Sequence, residues 1–111
     1  MNDRMLQVNE VLRERLAHIF SIKLEIPVEF FVTIIRVNAS PDLRNATVWI
    51  SVLPKGKERD GMAWLINHRK EIQKILGVET KKMKNTPQLF FKLDMTGEKT
   101  QDIYDLMDGE E

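Results

Sequence analysis

Apolar residues return at steps of three and four through Met5, Val8, Leu12, Leu16 and Ile19, one stripe along a helix of about five turns. Asn2 and Asp3 are residue types that cap such a helix, and Pro27 blocks its continuation, so an end between Ser21 and Glu25 is expected. The β-branched and aromatic run from Phe30 to Val37 predicts a strand buried on one face and partly on the other. Asn38 to Asp42, with Ser40 and Pro41 inside it, supplies the turn. From Ala46 to Val52 the pattern alternates, with Val48, Ile50 and Val52 on one face and Thr47, Trp49 and Ser51 on the other. That strand should pair with the first as an antiparallel hairpin.

Pro54 to Lys57 reads as a loop, after which Met62, Leu65, Ile66, Ile72 and Leu76 recur at helical spacing up to Gly77, the expected stop. On a straight helix Arg69 would fall between Leu65, Ile72 and Leu76 inside the buried stripe, where an unpaired charge costs several kcal/mol. A kink or break near His68 to Lys70 is therefore predicted. Lys81 to Pro87 is a basic connector, and Leu89 to Leu93 a third strand with Leu89, Phe91 and Leu93 on one face. Met95-Thr96-Gly97 ends it, and Thr100 stands where it would cap a short last helix carrying Ile103, Leu106 and Met107. The order is that of an α+β domain with helices on one face of a three-stranded sheet, its crossover between strands two and three right-handed.

Charge changes the picture once it is divided along the chain. The 111 residues carry no formal net charge, but from Asp94 onward seven acids meet the single base Lys99, leaving 16 bases against 10 acids before it. A basic body, the kind of surface that phosphates require, thus precedes an acidic end. The length suits one domain, read as 1–107, with 108–111 as an acidic tail that is a solubilising end. No apolar run reaches the length of a membrane span, and the first residues lack the design of a signal peptide, so a soluble cytoplasmic protein is expected.

Chemistry is harder to find. There is no cysteine, which excludes disulfides, thiolate nucleophiles and thiolate metal sites. The glycines at 56, 61, 77, 97 and 109 form no phosphate-cradling loop, and the only histidines, His18 and His68, sit on different helices without metal-ligand spacing. Glu10 with Glu14 and Asp102 with Asp105 share helix faces, as carboxylates on solvated surfaces routinely do. Neither an enzyme nor a bound cofactor or metal is expected.

The most specific stretch is Arg36-Val37-Asn38-Ala39-Ser40-Pro41-Asp42-Leu43-Arg44-Asn45-Ala46-Thr47-Val48-Trp49-Ile50-Ser51-Val52-Leu53-Pro54. It resembles the strand-turn-strand signature of the ribosome-binding factor A family, and the likeness extends from Val8 to Arg13 through Ile72 to Gly77, Thr86 to Phe91 and Ile103 to Met107. The resemblance implies a type II KH-like fold, a monomer without cofactor or small-molecule substrate, and binding to the immature small ribosomal subunit and its ribosomal RNA during late maturation and rRNA processing. The chain departs from the family's pattern at His68-Arg69-Lys70, where an Ala-x-Gly kink is usual, at Ile26-Pro27-Val28, where an Asp-Pro-Arg-like segment is common, and at Gln7, often arginine.

Arg69, Lys70 and Lys74 lie around the expected break and Lys81, Lys82 and Lys84 follow, so these six are the principal candidates for RNA contact, with Arg44 in the hairpin turn and Arg4 in the first helix as lesser ones. Trp49 and Trp64 are able to stack on bases, although core or boundary packing is the plainer role for Trp49. The competing reading is a protein-interaction module that docks a partner through the sheet face around Trp49 and Phe90 or through the acidic end.

Overall fold

A computed structural model describes residues 3–81 and 86–95 of the chain. Lys82, Lys84, the expected last helix and the acidic tail lie outside the described residues.

The first stripe forms α1 (Asp3–His18), which widens into a π-helical turn (Ile19–Lys23) closed by the Leu24 N–H on the Ile19 carbonyl at 3.1 Å. Leu12, Leu16 and Ile19 are fully buried, and the wider turn brings Phe20 into the core beside them. The strands are β1 (Phe31–Ala39), β2 (Asn45–Leu53) and β3 (Gln88–Leu93), in the order β1-β2-β3, antiparallel between β1 and β2 and parallel between β2 and β3. Val48, Ile50 and Val52 of the central strand point into one core with Leu65, Ile72, Leu76, Leu89 and Phe91.

Asn38 and Ala39, expected in the turn, are instead the last residues of β1. They pair with Thr47 and Ala46, and the Ala39 N–H is also taken by the Asn9 side chain of α1 at 2.8 Å, a tertiary bond that extends the strand. The turn proper is built on Asp42, whose carboxylate accepts the Ser40 hydroxyl at 2.7 Å and the Arg44 N–H at 3.1 Å while Leu43 takes a left-handed φ of 59°. The Ser40 hydroxyl, the Arg44 amide and the Arg44 guanidinium hold the Asp42 carboxyl below its ordinary value. A lowered carboxyl adds stability that is present above its unfolded value and is lost as the pH falls through the folded one. Asp42→Ala should therefore lower the denaturant midpoint at pH 7, and the gap from the parent should shrink in acid below the ordinary carboxylate range.

β1 contains an irregularity that decides which side chains face outward. Ile34 pairs with Ile50, but the next pair is Arg36 with Trp49, so Ile35 is an extra, bulged residue. Val32 and Ile34 face inward before it, Val37 and Ala39 after it, and Arg36 is turned to the outer face.

The middle helix is broken where expected, into α2 (Glu58–Asn67) and α3 (Arg69–Glu79). Two details differ from the expectation. Ile66, read as part of the buried stripe, is 60% exposed, because the break lets α2 turn Gly61 and Leu65 inward without aligning Ile66 with α3. Gly77 does not stop α3, which continues to Glu79 and ends where the Thr80 hydroxyl and N–H both bond the Leu76 carbonyl, at 2.7 and 2.9 Å. Gly61 lies against β2, where an added Cβ would come within 2.9 Å of both Val52 γ-carbons. Gly61→Ala should cost about 1–3 kcal/mol from this overpacking, partly offset by up to about 1 kcal/mol of helix propensity, and chemical denaturation would read the net loss.

Candidate nucleic-acid interface

The break needs no glycine. His68 has φ −104° and ψ 11°, a bridge-region conformation open to ordinary residues. Its N–H still bonds the Trp64 carbonyl at 3.0 Å and its carbonyl accepts the Ile72 N–H at 3.0 Å, so the two helices share a hinge residue without losing either bond. The imidazole fixes the hinge further: Nδ1 lies 2.8 Å from the Trp64 carbonyl, which only accepts, so this nitrogen carries the proton, and the ring stacks on Trp64 with centroids 4.0 Å apart. Trp64 is thereby committed to the protein's own packing.

Beyond the hinge, α3 presents three lines of side chains. Ile72 and Leu76 enter the core. Arg69 and Gln73, one turn apart, reach the free edge of β3: the Arg69 guanidinium donates to the Leu89 carbonyl at 3.2 Å, and the Gln73 amide donates to the Pro87 carbonyl and accepts the Leu89 N–H. This covers part of an edge that would otherwise offer unpaired backbone groups. Lys70 and Lys74, each one residue further on and thus about 100° around the helix, project away from the core and are exposed, with Glu71 exposed beside them. Lys81 follows the helix end and is also exposed.

The structure therefore gathers Arg69, Lys70, Lys74 and Lys81 on or just after one helix, but Arg69 is half-buried and engaged, whereas the three lysines are open to solvent. Arg44 lies 80% exposed in the hairpin turn, 3.8 Å from Asp42, and its carbonyl accepts the Gln88 N–H, which places it beside the start of β3. Arg4 is exposed on a separate element, the first turn of α1. A shallow hollow of about 450 Å³ between α1 and the hairpin turn is lined by Met5, Asn9, Asn38 and Pro41 among others.

Two cations escaped the sequence reading. Arg36 sits over the Trp49 ring with its Cζ 4.5 Å from the centroid, and Lys92 Nζ lies 5.8 Å from the same ring. A signal existed: by strict alternation Arg36 shares the inward phase of Val32 and Ile34, and a charge in that phase calls for the bulge that turns it out. Trp49 itself is half-buried on the outer face, as its alternation predicts. Among the described residues no group of three or more His, Asp or Glu is placed to hold a metal, and no helix is long and apolar enough to cross a membrane.

One helix, an antiparallel hairpin, a broken helix pair and a parallel third strand define a small α+β domain of the type II KH-like class, with exposed lysines beyond the hinge. A family model described as Ribosome-binding factor A matches residues 4–107, and the chain belongs to that family. It is 29% identical over 109 residues to the Ribosome-binding factor A of Opitutus terrae, covering 97% of this chain and 88% of the relative. The crystal structure of ribosome-binding factor A from Thermus thermophilus superimposes with a TM-score of 0.69 at 17% identity, covering 80% of this chain and 94% of that one. A homology model of the Thermus thermophilus factor, fitted into the cryo-EM map of a 30S complex with it, matches with a TM-score of 0.64 at 20% identity over 79% of this chain and 92% of that one.

Proposed function

We propose that this chain binds the immature small ribosomal subunit, holds its ribosomal RNA and assists late maturation and rRNA processing. It does so as a cytoplasmic monomer without a cofactor, and it performs no chemistry itself. The observation that carries this reading is the exposed lysine face of α3 beyond the His68 hinge in a member of the ribosome-binding factor A family. The relative fitted into a 30S complex supports the same partner. Residues 1–107 act as one KH-like RNA-binding domain, with 108–111 as its acidic tail.

Lys70, Lys74 and Lys81 contact phosphates through flexible cationic heads, a mode that reads shape and backbone more than sequence. Lys82 and Lys84, outside the described residues, are further RNA contacts in this reading, Arg44 adds to the surface from the hairpin turn, and Arg4 makes a lesser contact from α1. Arg69 contributes from the rim, where its guanidinium retains donors beyond the one given to Leu89. The test is sedimentation of the purified chain with small subunits through a sucrose gradient. Co-migration with immature subunits in preference to mature ones is expected; no association at low salt would refute the reading.

A further inference from the structure

The sheet face turned away from the helices carries a pattern that the α3 surface does not explain. Strand register lines up Arg36, Trp49 and Lys92 in one row across the sheet and Asn38, Thr47 and Phe90 in the next. Cations attend both rings: Arg36 and Lys92 lie against Trp49, and Arg69, reaching round the β3 edge, has its Cζ 5.6 Å from the Phe90 centroid. No strand position on this face is acidic; the Asp94 carboxylate, just after β3, pairs with Arg36 at 3.6 Å.

Each feature suits the same ligand. Phe90 is 40% exposed, and the Arg36 side chain, 54% exposed, presents a guanidinium above Trp49, so the face offers one aromatic and one guanidinium surface for stacking. Diagonal neighbours on adjacent strands stand about 7–8 Å apart, within reach of two successive unstacked bases. The cations beside them suit phosphates. A duplex hides its base faces, and lysine is depleted at protein-docking faces, whereas here Lys92 stands directly beside the central Trp49.

We propose that this sheet face holds a single-stranded RNA segment, with neighbouring bases stacked on Phe90 and on the Arg36–Trp49 pair and their phosphates met by Lys92 and Arg69. The inference rests on the RNA partner proposed above and adds a second surface, joined to the α3 lysines across the β3 edge by Arg69.

The test uses the full chain and a fluorescein-labelled single-stranded oligoribonucleotide of about ten nucleotides, with a hairpin duplex of equal length as comparison. Anisotropy should show a preference for the single strand, and Phe90→Leu with Lys92→Gln should weaken that binding about tenfold, as loss of one stacked base predicts. In a Trp64→Phe background, where Trp49 is the sole tryptophan, the single strand should also quench the emission. Equal affinity for the duplex, or unchanged single-strand affinity in the Phe90/Lys92 variant with its circular dichroism intact, would overturn the proposal. So would nuclease-resistant capture by small subunits that the same variant loses while its RNA affinity is unchanged, since the face would then dock a protein. If the parent chain joins small subunits in the gradient while these RNA outcomes fail, the sheet inference falls alone; if the parent does not join them, the proposed function falls as well.

Discussion

Lys70→Gln combined with Lys74→Gln and Lys81→Gln is expected to weaken association with small subunits by roughly tenfold or more, while leaving the melting transition nearly unmoved. The reasoning is electrostatic and local. All three ammonium groups are exposed, and none of them anchors the fold through a hydrogen bond or ion pair with a described residue. Each phosphate contact releases condensed counterions, so the plot of log affinity against log salt should also flatten by roughly one unit per lysine that makes such a contact. Arg69→Ala should behave differently. It removes a bond to the β3 edge, so it should lower stability as well as affinity.

Leu65→Ala should destabilise the domain by about 2–5 kcal/mol, whereas Ile66→Ala, one residue along, should change it by no more than about 0.5 kcal/mol. Leu65 is fully buried in the core and Ile66 is 60% exposed, although both are large aliphatic side chains on the same helix. The larger figure is a sizeable share of the stability of a small domain, for which about 5–15 kcal/mol is usual. Urea titrations of the two variants would decide the matter, and equal losses would mean that α2 is rotated from the orientation described.

The contrast between those residues shows what periodicity resolves. The α1 stripe and the alternation of β2 and β3 were readable because one period governs each whole element. The hinge was readable from Arg69, a charge that an unbroken helix could not bury. Ile66 was misplaced because the break re-phases the helix, and a single period cannot assign both halves. Gly77 reads as a stop because a glycine often ends a helix, while the cap observed comes from the Thr80 hydroxyl. Asn38 and Ala39 extend β1 by pairing with Thr47 and Ala46, and the Ala39 N–H donates to the Asn9 side chain thirty residues away, a bond that no local pattern records.

The candidate site divides in the same manner. Lys70, Lys74 and Lys81 are exposed cations, as a count of charges along the chain suggests. Arg69 looked equivalent to them, but its partner Leu89 lies twenty residues downstream, so its tie to the sheet edge emerges only from the fold. Arg36 and Lys92 went unnoticed for the opposite reason: on paper they are separated by more than fifty residues, and register places both against one indole.

The central claim is that the His68 hinge turns a lysine face of α3 toward ribosomal RNA, and RNA–protein crosslinking within the gradient-purified complex tests it most directly. Digestion and mass spectrometry should find nucleotide adducts on peptides spanning residues 69–81. Adducts confined to the α1 arginines Arg13 and Arg15, with none on α3, would contradict it.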